Sequence, residues 1–281
     1  MDSIVFTAVL FAAACHAGWN AAIKTGLDPL TSTVLITTGA GLVSLALLPF
    51  AGLPPAIAWP WVVASVVIHL FYFIGLSEAY RTGDLGQVYP LARGTAPLMT
   101  AGVTTLLLGE RIGLSGWSGI AILAAGVLLL SLRGGRLLEP PDRRAVLFAL
   151  FTALTICLYS VVDGIGARTA GNPHAYTLAM FIGNALVMIV YFLIRRSPSA
   201  IPPMLKTWPV GLVGGSLQLL SYGIVIWAMT LAPIALVAAL RETSVLFGAL
   251  IAVLLLKESL RPARIIAALM IVCGLVLIRM S

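Results

Sequence analysis

The chain has 281 residues, of which 60% are hydrophobic and only 10% charged, with a mean hydropathy of +1.06. A soluble fold of this length cannot hide so much apolar surface, which excludes a globular aqueous protein. The net charge of +7 sits mostly in connections between apolar segments, a placement that reflects membrane topology and anionic lipid rather than nucleic acid.

Windows of roughly 20 apolar residues, enough for a helix to cross about 30 Å of hydrocarbon, recur along the whole chain. The sequence predicts ten spans, at 3–24, 30–50, 59–80, 84–108, 114–132, 143–165, 174–194, 208–230, 233–256 and 262–280. Short connections rich in Gly, Pro and charge separate them, as at Asp28-Pro29, Pro54-Pro55, Gly83-Asp84, Pro202-Pro203 and Arg261-Pro262. The expected class is an all-α polytopic membrane protein.

Span 1 opens without a basic segment and stays apolar past Ala12-Ala13-Ala14-Cys15 into His16, Trp19, Asn20 and Lys24, so it is read as a retained helix rather than a signal peptide. His16, Trp19 and Asn20 fall broadly on one face, as a cavity wall or as polar bridges to neighbouring helices. Cys15, Cys157 and Cys273 lie within spans without CxxC spacing and read as small packing residues.

Span 3 carries His69 and Tyr72 one turn apart, followed by Ser77, Glu78 and Tyr80. Span 4 holds Tyr89, Pro90, Arg93 and Pro97. A proline inside a helix removes a backbone hydrogen bond, so Pro90 and Pro97 are candidate hinges bracketing Arg93, or static kinks. The stretch 133–144 is the longest polar one, and residues 136–142 are the expected linker between repeats at 1–135 and 143–281. Span 6 has Tyr159 and Asp163, the latter expected near the outer membrane surface. Span 8 offers Gln218, Ser221 and Tyr222, and span 9 places Arg241-Glu242 at mid-depth. Trp59, Trp61, Trp208, Tyr80 and Trp227 near span ends suit the interfacial belt.

The two halves repeat. A shift of 148 positions lays Gly75 on Gly223, Arg93 on Arg241, Thr95 on Thr243, Glu110 on Glu258 and Gly126 on Gly274. Arginine at bilayer depth costs at least about 2.5 kcal/mol even on a lenient scale, so its recurrence at one register implies a role. Five spans per half is an odd number, which turns the second copy over and predicts two inverted five-helix repeats with a substrate site between them. The connections after spans 1, 3, 5, 7 and 9 hold twelve Lys and Arg, against Arg111, Arg168 and Arg279 on the other side. This bias predicts that both termini face outward, away from the cytoplasm.

Ala96-Pro97-Leu98-Met99-Thr100, Leu108-Gly109-Glu110-Arg111 and Gly119 to Val127, with a second copy from Leu256-Lys257-Glu258-Ser259 through Gly274, resemble the repeat signature of the EamA branch of the drug/metabolite transporter superfamily. The resemblance covers essentially the whole chain and implies a bacterial inner-membrane carrier. The branch includes exporters of amino acids, aromatic ones among them, and the wider superfamily moves nucleotide sugars and phosphorylated sugars. The chain departs from the pattern at Val245, which stands opposite Pro97, and at Arg241-Glu242 just ahead of it.

The residues themselves suggest a small-molecule substrate. Arg93 and Arg241 are each near 15 Å from their entry face at about 1.5 Å per residue, and a guanidinium fork suits a carboxylate. Their alternative is an internal ion pair with Glu242, Glu78 or Asp163. The candidate binding set is Arg93, Arg241, Tyr89, His16, Trp19, Asn20, His69, Tyr72, Gln218, Tyr222 and Glu242. His16 and His69 are candidate proton carriers. Proton-coupled and facilitated export both fit, as does a carrier of phosphorylated metabolites. An intramembrane enzyme is not expected, for the sequence has no HExxH, GxSxG or paired aspartates, and it suggests no metal or cofactor. One chain would suffice for a pathway, and its partners would be substrate and membrane lipid.

Overall fold

A computed structural model describes residues 1–22, 28–82, 85–132, 143–196, 201, 206–256 and 262–281. The described chain is helical, in the order α1 (Ser3–Ala22), α2 (Pro29–Ala51), α3 (Trp59–Thr82), α4 (Leu85–Leu108), α5 (Leu114–Leu132), α6 (Arg143–Ala170), α7 (Pro173–Arg195), α8 (Trp208–Leu231), α9 (Ile234–Arg241), α10 (Ser244–Leu256) and α11 (Pro262–Arg279). Among the described residues, eight helical stretches are long and apolar enough to cross a membrane, Ile234–Ile251 among them, and Leu114–Leu130 is a shorter apolar helix. Outward-facing side chains such as Leu42, Phe71, Leu106, Leu150, Val213 and Leu269 are exposed, a surface suited to hydrocarbon rather than water.

Local chemistry sets the helix ends. The Asp28 side chain accepts from the Thr31 amide at 3.3 Å and from the Thr31 hydroxyl at 2.5 Å, capping α2 with Pro29 in its first turn. Asn172 does the same for α7, accepting from the amides of His174 and Ala175. Between α6 and α7 only Gly171 and Asn172 intervene, and Gly171 takes the left-handed φ of 65° that lets the chain reverse there.

Two differences from the sequence expectation matter for function. First, α6 runs five residues past the expected end, to Ala170, and Asp163, seven residues before that end, is wholly buried. Its burial among side chains of other helices, which no local pattern encodes, makes it an interior residue and not one exposed at the interface. Second, the ninth span is broken. The amides of Glu242 and Thr243 turn back to Ala239 and Leu240, and those of Val245 and Leu246 to Glu242 and Thr243, a tighter pattern that separates α9 from α10.

Small residues carry the closest helix crossings, as expected where apolar burial gives helices little reason to associate in lipid. The most extensive pair is α5 with α11. There a Cβ added at Gly274 would stand 2.7 Å from the Gly119 carbonyl oxygen, and one added at Gly119 would stand 2.9 Å from that of Gly274. Gly39 and Gly211 likewise bring the backbones of α2 and α8 together. The largest buried cluster joins α1, α5, α8, α9 and α11 around Val9, Leu123, Met229, Leu240 and Ile271. All eight residues of α9 are buried, so the helix that ends in Arg241 is the most enclosed in the bundle.

Candidate functional site

Burial makes the arginines depend on what surrounds them. Arg93 and Arg241 are each 2% exposed and Glu242 1%. Glu242 stands between them, its Oε2 at 2.6 Å from Arg93 Nε and its Oε1 at 3.5 Å from Arg241 Nη2. Arg93 also donates from Nη2 to the Ser244 hydroxyl at 2.7 Å. The break between α9 and α10 makes this possible, because it projects Arg241, Glu242 and Ser244 from one irregular turn toward α4.

The pairing is close but poorly aligned. Among the described residues, both Glu242 oxygens and the Nε and Nη2 atoms of Arg241 are buried without a hydrogen bond of good geometry. Native interiors rarely leave such atoms unsatisfied, and when they do the site commonly has a job. The carboxylate thus offsets one of the two guanidinium charges while leaving hydrogen-bonding capacity on both sides.

Aromatic rings form the next layer. The Arg241 guanidinium carbon lies 5.3 Å from the Tyr159 ring centre and 5.7 Å from that of Tyr222, within range of cation–π attraction. His69 stacks on Tyr159 at 4.4 Å and meets Tyr222 edge-on at 5.8 Å, while Tyr72 meets Tyr159 edge-on at 5.7 Å. Ser65 fixes the His69 ring, its carbonyl lying 2.9 Å from Nδ1. Beyond the rings, Asp163 accepts from the Tyr222 hydroxyl at 2.5 Å and from the Tyr176 hydroxyl at 2.9 Å.

The structure therefore brings Arg93, Arg241, Glu242, His69, Tyr72 and Tyr222 into one buried cluster built by α3, α4, α6, α8 and α9. His16 lies within electrostatic reach of both guanidiniums. It packs edge-on against Trp19 at 5.1 Å, and Asn20 donates to the His16 carbonyl at 2.8 Å, so the span-1 trio is bound largely to itself. Gln218 lies one turn before Tyr222, and no described interaction links it to either arginine. Pro97 is buried in α4, where its missing N–H deprives the Arg93 carbonyl of its helical donor. The side chains of Tyr89, Pro90 and Glu78, and residues Lys24, Glu258 and the 136–142 linker, lie outside the described residues. Ser244, Tyr159, Asp163 and Tyr176 belong to the cluster without having been singled out as binding residues from sequence. Tyr159 and Asp163 share a helix face at a spacing of four, which is the signal the sequence offers for them.

A cavity of about 610 Å³ opens elsewhere, between α2, α7 and α8, lined by Leu47, Phe50, Asn172, Thr177, Leu219 and Trp227 among others. None of its lining residues belongs to the arginine cluster. On one side of the bundle, Glu110 accepts from the first amides of α9, Ile234 at 2.9 Å and Ala235 at 3.4 Å, and pairs with Arg168 at 3.1 Å. Arg168 also donates to the Met229 and Ala232 carbonyls.

The chain matches the EamA-like transporter family over residues 3–132 and again over 143–280. It is similar to the multidrug resistance protein EbrB of Bacillus subtilis, at 39% identity over 75 residues, 26% of this chain and 62% of that protein. It is also similar to the spermidine export protein MdtI of Klebsiella pneumoniae, at 33% identity over 70 residues, 25% of this chain and 64% of that protein. The match thus spans somewhat less than two thirds of each relative's length. A solved crystal structure superimposes with a TM-score of 0.78 at 19% identity, covering 99% of both chains, a likeness of fold alone. With both segments matched, the chain belongs to the EamA-like transporter family.

Proposed function

We propose that this member of the EamA-like transporter family exports amino acids or related small metabolites across the bacterial inner membrane. In this reading two inverted five-helix repeats, 1–135 and 143–281 joined by 136–142, rock about a central site by alternating access. The observation that carries it is the Arg93–Glu242–Arg241 cluster, in which each half contributes a buried guanidinium.

Helix pairing supports the repeat. If α9 and α10 together form the ninth span, adding five spans turns several of the most extensive pairs into counterparts: α2 with α8 into α7 with α3, α1 with α8 into α6 with α3, and α4 with α6 into α10 with α1. Connections that follow odd spans meet one another, as in the 2.7 Å pair of Asp28 with Arg196, and those that follow even spans do so in Glu110 with Arg168. That sorting, with the Lys and Arg bias, supports termini on the external face.

The substrate class follows from charge. Arg93, Arg241, Glu242 and Asp163 balance, so a zwitterion can enter without adding net charge to a low-dielectric site. Its carboxylate would take over the guanidiniums that Glu242 now satisfies poorly, and the tyrosine and histidine rings would face its side chain. A phosphorylated metabolite fits less well, because Glu242 cancels positive charge that a dianion needs. The name of MdtI, a spermidine export protein, favours a second reading, a cationic cargo, for which the two buried carboxylates would serve.

Counterflow in liposomes containing the purified protein tests the choice, with amino acids, spermidine, phosphorylated sugars and nucleotide sugars as the panel. Exchange of amino acids is expected; exchange confined to spermidine or to the phosphates would replace this reading.

A further inference from the structure

We infer that Asp163 is the ammonium-binding subsite of this transporter, paired across the Tyr222 ring with the carboxylate-binding guanidinium of Arg241. The inference rests on the amino-acid reading above and adds the residue that distinguishes an amino acid from a simple carboxylic acid.

A carboxylate with 0% exposure deep in an apolar helix has to be compensated, by a proton or by a cation. Among the described residues no Lys or Arg forms an ion pair with Asp163, unlike Glu242, which stands against two arginines. What reaches it instead are two phenol hydroxyls, which occupy about two of a carboxylate's four acceptor positions. Capacity remains on the oxygens for further donors, and among the described residues the charge that balances Asp163 sits on the arginine cluster and not against its oxygens.

The two hydroxyls are not equivalent. Tyr176 is locked in place: its ring lies so close to Gly166 that an added Cβ there would sit 2.5 Å from it, and its hydroxyl, which gives its proton to Asp163, also lies 3.3 Å from the Trp61 carbonyl oxygen. Tyr222 is partly exposed, its ring is surrounded by His69, Tyr159, Phe181 and the Arg241 guanidinium, and it is followed by Gly223, whose missing Cβ would touch only the Thr177 methyl at 3.6 Å. The Tyr222 hydroxyl on Oδ2 is therefore the displaceable donor, and the Tyr176 hydroxyl on Oδ1 holds the carboxylate in position.

An ammonium that replaces the Tyr222 hydroxyl gains a charge-assisted contact where a neutral one stood. It does so next to the ring that carries Arg241 on its face. The two charges of a zwitterion thereby meet opposite charges at the hydroxyl end and over the face of one aromatic ring. Glu242 is the less suitable anchor, since an ammonium bound there would compete with both guanidiniums.

The test uses the full chain in liposomes and three probes: phenylalanine, 3-phenylpropionate, which lacks the amine, and 2-phenylethylamine, which lacks the carboxylate. Asp163→Asn should lower phenylalanine and phenylethylamine exchange about tenfold or more while leaving phenylpropionate within about twofold, the scale of one charged hydrogen bond. Tyr222→Phe, which leaves Oδ2 open, should retain the preference for phenylalanine over phenylpropionate, and it keeps the question decidable if Asp163→Asn fails to fold. Equal loss of all three probes in Asp163→Asn, an unchanged preference in that variant, or loss of the preference in Tyr222→Phe would overturn the assignment. So would a loss of amine selectivity in Glu242→Gln. If the unaltered protein exchanges no phenylalanine or other amino acid, the amino-acid reading itself fails and this inference with it.

Discussion

Arg93 on α4 and Glu242 at the break after α9 meet at 2.6 Å, although they come from opposite halves of the chain. The contact ties the two halves at their most buried point. It also decides how the site responds when either partner is removed.

Arg93→Ala should destabilise the folded protein as well as stop transport, because it leaves the buried Glu242 carboxylate only the looser 3.5 Å contact with Arg241, at a cost of at most about 3–5 kcal/mol. Arg93→Ala combined with Glu242→Gln, which leaves the buried Arg241 guanidinium without that carboxylate, should restore neither the full thermal midpoint in detergent nor the counterflow. Recovery of transport in the double variant would mean that the pair is structural and that Arg93 has no part in binding.

Glu110 joins Arg168 to the first amides of α9. Glu110→Ala removes an N-terminal carboxylate worth about 0.5–2 kcal/mol. Hydrogen exchange should therefore accelerate several-fold at Ile234 and Ala235, with less change in α2 and α7. Equal acceleration throughout the bundle would show general loosening instead of a local latch.

Asp28 gives a pH dependence of known sign. Partial burial pushes its carboxyl upward, but bonds from the Thr31 hydroxyl and amide, together with Arg196, outweigh burial and hold it below the usual carboxylate range. A depressed carboxyl contributes stability that is complete above its unfolded value and is lost as pH falls through its folded one. Asp28→Asn keeps a helix-capping side chain while removing the charge. The thermal midpoint of the unaltered protein should exceed that of Asp28→Asn at neutral pH, and the gap should close on acidification below about pH 4. A gap that persists there would assign the effect to shape.

Much of the fold was legible because it is local. Asp28-Pro29 and Asn172-Pro173 announce helix starts, and the expected span ends mostly lie within two residues of the observed helices. The arginine cluster was legible through its register, since a charge in an apolar span is costly and two at matching positions point to a shared role. The break after Arg241 was not. Arg241-Glu242-Thr243-Ser244 contains neither Gly nor Pro, and the tertiary demand that both Arg93 and Arg241 reach Glu242 overrides local helix preference. Asp163 misleads for a related reason: Gly164 and Gly166 look like the approach to a helix end, yet they make room for Ile234 and the Tyr176 ring. A glycine that admits a neighbour and one that stops a helix read alike until the neighbour is known.

The glycine crossing of α5 and α11 bears on how such a machine can move. With the main chains in direct touch at Gly119 and Gly274, no side chain lies between them at that crossing to slide or change rotamer. In the alternating-access cycle proposed above, this crossing is the expected stator, about which the rest of the bundle would tilt.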